Sequence, residues 1–274
     1  MENYTAKRVN WEDLELPPTI YKYRTWHDKY HKTIISDRQV YMSPPLGFED
    51  PLDCKNQVRY DLLTDDEIFS KYYMESRRLT PQLPHGEHLK FALYWFKKSP
   101  LHDKENIKKL QEEDFLKYND RAGILSLTTN PTIQKMWEKY SENHEGICIG
   151  FNSTIMFKYL GGGCAVNYCK ELPIIKPTPW DSHPVQMIKQ VYYKLDKWSF
   201  EEEYRAETFD INPLTNEQRA ITLPTEAYKE IIFGAKISQQ HKTDIIAIAK
   251  KTMPHVTFKQ AAIINTGIRL DAMA

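Results

Sequence analysis

Within Trp198-Ser199-Phe200-Glu201-Glu202-Glu203-Tyr204-Arg205, charged side chains alternate with aromatic ones. Read as a strand, Phe200, Glu202 and Tyr204 take one face, and Glu201, Glu203 and Arg205 take the other. Like charges in one row destabilise a sheet unless a cation or a ligand meets them. Two carboxylates and a guanidinium behind an anchored Trp therefore suggest a built site. The same residues also fit a solvated edge strand, or a charged helix face on which Glu201 and Arg205 pair i,i+4 for about 0.2–0.5 kcal/mol.

Other chemistry-bearing residues point less far. His27 and His31 stand four apart, the spacing at which a helix offers two imidazoles to zinc, but Asp28 follows His27 where a protease helix needs Glu, so no metal site is expected. Gly161-Gly162-Gly163 lacks the Lys and Ser/Thr of a phosphate loop, and His85 and His88 flank Gly86 in what reads as a turn. Trp137 and Tyr140 lie i,i+3 on one helix face, just before His144 and an apolar run. They form either an aromatic wall for a planar base or ordinary core. Cys148 alternates within that run as a small hydrophobe. No two of Cys54, Cys148, Cys164 and Cys169 have the spacing of a zinc knuckle, so reduced thiols are expected.

These groups belong to a chain of 274 residues with 41% hydrophobic and 27% charged content, enough to bury a full core as a single domain over 1–274. Basic and acidic residues balance at 37 each, so no global field draws the chain to nucleic acid or an anionic membrane. The 17 Tyr and 6 Trp favour pockets or stacking surfaces. A polar, acidic N-terminus and the lack of any apolar run of about eighteen residues predict a cytoplasmic protein without a membrane partner.

The elements that must position the groups follow from pattern. Thr19 to Arg24 and Gln39 to Ser43 read as strands and as neighbours, with a helix from Trp26 to Ser36 between them. Residues 64–120 carry helical spacing broken only at Pro81 to Gly86, a helical insertion or layer. Gly123 to Thr128 and Gly146 to Phe151 are apolar strands around a helix that opens at Asn130-Pro131-Thr132. Cys164 to Tyr168 reads as a strand, Pro173 to Pro184 as a loop and Val185 to Leu195 as a helix. A β-α-β unit closes the chain: Glu230 to Phe233, a helix capped by Ser238 and running to Lys251, and Val256 to Ile264. The class is mixed α/β or α+β.

An ordered series of residues resembles a bacterial family known as domain of unknown function family 2971. The series is Ile20 to Arg24, Tyr41-Met42-Ser43-Pro44-Pro45, Phe48 to Asp53, Trp137, Tyr140, His144, Gly146 to Phe151, Trp198, Glu201, Glu203 to Arg205, and Ile231 to Ala235. The departure is Glu49, where members usually carry Asn. A basic residue on a first strand, a serine on a second and a late Glu-x-Glu are also similar to the plan of ADP-ribosyltransferases. That resemblance implies an α+β, ADP-ribosyltransferase-like fold with a mixed sheet core, beside which the residue pattern sets the helical insertion over 64–120 and the C-terminal β-α-β unit. It implies NAD as substrate and an oxocarbenium-like intermediate.

In that mapping Arg24, with Lys22, grips the NAD phosphates, Ser43 supports the pocket, and Tyr21, Tyr23 and Phe48 stack on nicotinamide with Trp137 and Tyr140 nearby. Glu203 is the catalytic acid, Glu201 its partner toward the acceptor, and Arg205 shares their surface. The implied role is a toxin or phage-defence effector that modifies nucleic acid or protein, with room for an antitoxin or defence partner. The alternative is a non-catalytic nucleic-acid-binding or interaction module, in which Lys22, Arg24, Lys55 and Arg59 meet phosphates. A third reading makes the same residues fold determinants, with Arg24 neutralising Glu203.

Overall fold

The computed structural model describes residues 15–273; the polar, acidic N-terminal residues 1–14, on which the expectation of a cytoplasmic protein partly rests, lie outside them. The first half of the chain runs through β1 (Ile20–Arg24), α1 (Lys29–Ser36), β2 (Gln39–Tyr41), α2 (Asp65–Leu79), α3 (His85–Lys97), α4 (Lys104–Arg121), β3 (Ala122–Thr128), α5 (Gln134–Tyr140) and β4 (Ile147–Phe151). Next come α6 (Ser153–Leu160), β5 (Cys164–Ala165), β6 (Asn167–Cys169), α7 (His183–Val191), β7 (Tyr193–Leu195) and β8 (Glu203–Phe209). The chain finishes with α8 (Asn216–Arg219), β9 (Ala220–Thr222), β10 (Tyr228–Phe233), α9 (Gln239–Thr252), β11 (Thr257–Ile264) and β12 (Gly267–Ala272).

Helix starts follow their caps. The Asp28 carboxylate accepts from the amides of Tyr30 and His31 at the head of α1, and Thr64 with Glu67 forms a reciprocal capping box on α2. Ser238 caps α9 as its position predicts. The region 64–120 is occupied by α2, α3 and α4, which share a small core of Ile68 from α2, Phe96 from α3, Ile107 and Leu110 from α4, and Leu101 from the turn between α3 and α4.

The main sheet has the order β12-β11-β10-β4-β1-β3-β8-β5 and is mixed, because β10 and β11 run parallel across the α9 crossover while its other pairs are antiparallel. The architecture is α+β. The largest core lies on one face, where Ile147, Ile149 and Phe151 of β4 meet Ile34 and Ile35 of α1, Phe157 of α6 and Ile245 of α9. On the other face Tyr23, Cys148 and Ile232 pack on Met136 and Trp137 of α5, and Ile124 packs with Tyr118 of α4 and Val191 of α7.

Four expectations are corrected. β1 and β2 are not neighbours: β1 lies between β4 and β3, and β2 pairs with β9 in a small separate sheet, because Pro44-Pro45 end β2 before it can extend and Met42 already donates to the Arg219 carbonyl. The strand over Cys164 to Tyr168 breaks at Val166 into β5 and β6, which join different sheets. The helix over Val185 to Leu195 stops at Val191, and Tyr193-Lys194-Leu195 form β7 parallel to β6. Finally, Asp196 to Glu201 is a 3-10 turn and Glu202 is left-handed (φ 44°), so the octapeptide is strand only from Glu203 onward.

Gly146 marks a close approach that fixes the end of β1. A Cβ there would meet the Arg24 carbonyl oxygen at 2.2 Å and the Ser141 Cα at 3.1 Å. Gly146→Ala is expected to cost about 1–3 kcal/mol through overpacking; an unchanged urea midpoint would show that β1 can yield.

Candidate functional site

The strand pairing itself makes the cavity. β1 pairs with β4 along its whole length, but with β3 only through Tyr21↔Thr128, and the two strands part beyond that point. Lys22 and Arg24 leave β1 from the face opposite to Tyr21 and Tyr23. The gap nevertheless lets both reach the same space, where Lys22 Nζ donates to the Ser126 carbonyl at 2.5 Å. A cavity of about 420 Å³ fills the parted region, within the range of small-molecule sites. Walls come from Met136, Lys139 and Tyr140 of α5, the loop from Gly47 to Asp53, Lys194 and Trp198.

One side of the cavity is acidic and fully paired. Arg205, with no exposed surface, grips both Glu203 oxygens (Nε–Oε1 2.7 Å, Nη2–Oε2 2.9 Å) and Asp53 Oδ1 at 2.7 Å, and donates to the Val191 carbonyl and the Cys54 thiol. Lys194 Nζ bridges three carboxylates: Glu201 at 2.5 Å, Glu203 at 3.0 Å and Asp53 at 3.0 Å. Glu201 also accepts from the Tyr140 hydroxyl at 2.7 Å. Three carboxylates thus share two cations, leaving one surplus negative charge. Burial pushes the Glu203 carboxyl up, but Arg205 and Lys194 outweigh it and hold it down at about 2. Burial likewise opposes the Lys194 charge, and Glu203, Asp53 and Glu201 together raise its pKa above the ordinary range.

The opposite side is cationic and unpaired. Among the described residues neither Lys22 nor Arg24 has a carboxylate within ion-pair distance; Arg24 makes only a long 3.5 Å bond to the Tyr23 carbonyl. Burial first, and then Arg24, pull the Lys22 amine well below its usual range, against the pull of Glu203 and Glu201. Burial also lowers Arg24, to about 10.

Tyr21, Lys22, Tyr23, Arg24, Phe48 and Tyr140 line this cavity, as do Glu201 and Glu203. Three other predicted residues do not. Ser43 is held by a two-way backbone bridge to Ile124 at the far end of β3. Trp137 is fully buried, edge-on to Tyr23 at 5.0 Å, with its indole N–H on the Pro131 carbonyl, so it wedges the core under β1. Arg205 lies behind Glu203, with the Phe48 ring over its guanidinium. The left-handed turn at Glu202 sends that carboxylate outward to Thr129 and Asn130, which is how Glu201 and Glu203 share the cavity without strand alternation.

Lys194, Asp53, His31 and Ser126 also belong to the site and escape a reading by residue type. Only the parallel pairing with β6, which no local pattern announces, makes Lys194 a strand residue. His27 stands apart from His31, lying 3.6 Å from the Glu142 carboxylate and edge-on to the His241 ring. Among the described residues no group of three or more His, Cys, Asp or Glu is arranged to hold a metal ion, and no helix is long and apolar enough to cross a membrane.

Fold and site together define an α+β protein with a two-sided charged cavity in a parted mixed sheet. Over residues 136–206 the chain is similar to the family described as Protein of unknown function (DUF2971). No curated protein and no solved structure matches it. The matched segment holds Tyr140, Lys194, Glu201, Glu203 and Arg205, whereas Asp53 and the β1 cations lie outside it.

Arg205→Met leaves Lys194 alone against three buried carboxylates, Asp53, Glu201 and Glu203, and is expected to cost about 3–5 kcal/mol, read by thermal or urea denaturation. Glu203, with its folded pKa depressed, contributes stability that is present above its ordinary value of 4.5 and is lost as pH falls through about 2. Unfolding free energy should therefore drop across that window, and less steeply in Glu203→Gln; equal slopes would remove Glu203 from the account.

Proposed function

We propose that the cavity is the active site of an NAD-consuming ADP-ribosyltransferase-like enzyme. The observation that supports it most is the placement of two half-buried basic side chains without a carboxylate at ion-pair distance, Lys22 and Arg24, in the same cavity as a buried carboxylate cluster. Half-buried basic groups without an ion-pair partner favour an anion, and a ligand diphosphate supplies one in the form that guanidinium and ammonium groups bind best. Tyr21, Tyr23, Phe48 and Tyr140 offer ring surfaces to a planar base.

In this reading the bond between ribose C1′ and the nicotinamide nitrogen breaks, its electron pair leaves with neutral nicotinamide, and positive charge develops on the ribose. Both Glu203 oxygens already accept from cations, so Glu203 acts by holding negative charge beside the ribose rather than by attacking it. Glu201, on the acceptor side, takes the proton that the acceptor hydroxyl or amine loses as its lone pair bonds C1′. The acceptor is a nucleic acid or a protein, and the biological role is that of a toxin or phage-defence effector.

Nicotinamide release by the purified protein tests the reading. Glu203→Gln is expected to lower kcat by on the order of 10²–10³, and Arg24→Ala to raise KM for NAD by about tenfold or more. Turnover equal in all three proteins, or absent in the wild type, would sink it.

A second reading has one observation in its favour: Lys139 lies over Trp198 at 4.3 Å and Lys135 over Phe200 at 4.9 Å, a basic and aromatic rim beside the cavity. Such a rim suits a non-catalytic nucleic-acid module. It predicts salt-dependent binding without turnover.

A further inference from the structure

His31 is the one imidazole that lines the cavity, and it does so from the first turn of α1 on the side of Lys22 and Arg24. Its Nδ1 is buried and has no hydrogen-bond partner. The amides at the head of α1 are not available to a ligand in its place, because Asp28 already accepts from two of them. Three nitrogen-bearing side chains therefore converge on one end of the cavity, and among the described residues none of the three has a carboxylate at ion-pair distance; Asp28, the nearest acid acting on Arg24 and His31, is engaged as the cap of α1.

We propose that His31 completes, with Lys22 and Arg24, an anion subsite for the phosphate portion of the ligand, and that its imidazole takes up a proton as the anion enters. The inference rests on the reading of this cavity as a site for a phosphorylated ligand. In the free protein burial first, then Arg24 and Lys22, hold the His31 imidazole neutral, with its pKa lowered to about 4 against the smaller pull of Asp28. Among the described residues those are the charges acting on it; β2 and α9, the other elements packed on α1, add none.

An incoming phosphate reverses the sign of that field. Its oxygens sit against Lys22 and Arg24 and give His31 an acceptor, so the charged imidazole becomes the favoured form. The proton comes from solvent and is returned when the ligand leaves. Between the free and the bound pKa, affinity then rises by up to about tenfold for each unit fall in pH.

Calorimetric titration of the full chain with inorganic pyrophosphate, in two buffers of different ionisation enthalpy, measures the protons exchanged. His31→Gln serves as the reference, since it keeps polar volume and carries the probe's own titration. The wild type is expected to take up about one proton more than the variant between about pH 6 and about pH 5. The imidazole signal of His31, followed by NMR without any substitution, should titrate higher with pyrophosphate bound than without it. Equal proton uptake in the two proteins, an unmoved imidazole, or no pyrophosphate binding that Arg24→Ala abolishes would each overturn the subsite. Pyrophosphate binding with proton uptake in a protein that never releases nicotinamide would retire the NAD reading and leave the subsite standing.

Discussion

The buried guanidinium of Arg205 is the constraint on which the rest of the site depends. Five hydrogen bonds tie it to β8, to the loop before α2 and to the end of α7. Burying such a charge is costly unless each donor is met, and here the partners that meet it are the same carboxylates that face the cavity. Stability and site geometry are consequently one problem. Asp53 and Glu203 cannot relax away from the cavity without orphaning Arg205, and Lys194 cannot leave without concentrating three negative charges in a space shielded from water.

The second determinant is the failure of β1 and β3 to pair. A sheet that stayed zipped would have kept Lys22 and Arg24 on the face of the apolar core, where neither could be solvated. Parting the strands after Tyr21↔Thr128 gives those cations somewhere to go and exposes the Ser126 carbonyl to receive one of them. Trp137, wedged beneath Tyr23, and Gly146, pressed against the Arg24 carbonyl, hold β1 to β4 while its other edge is free. The cavity thus joins two faces of one sheet, with opposite charge from each.

Much of this is legible from residue order, though through different routes. The apolar runs at Gly123 to Thr128 and Gly146 to Phe151, the cap at Ser238 and the helical spacing of 64–120 report themselves because local periodicity decides them. The convergence of β1 with the Glu-x-Glu is visible only as an ordered series. What stays hidden depends on long-range pairing: that β2 joins β9, that Tyr193 to Leu195 is strand rather than helix, and that Lys194 therefore faces the acids. The octapeptide shows how a correct grouping can have a different cause. Glu201 and Glu203 do share a surface, yet a left-handed residue between a 3-10 turn and a strand puts them there, and nothing in the alternation of charges announces that turn.

The division of the cavity between segments has a bearing on how such a protein diversifies. The acids and their cations, apart from Asp53, lie within 136–206, while Lys22, Arg24 and His31, which line the other end of the cavity, come from β1 and α1. The two halves meet along the β1–β4 pairing, where Trp137 packs edge-on to Tyr23, and again across the gap in the sheet. Lys22 and Arg24, which face the gap rather than β4 and α5, are therefore the positions at which exchange alters the charge of the cavity without touching the buried hub of Arg205, Lys194 and their carboxylates.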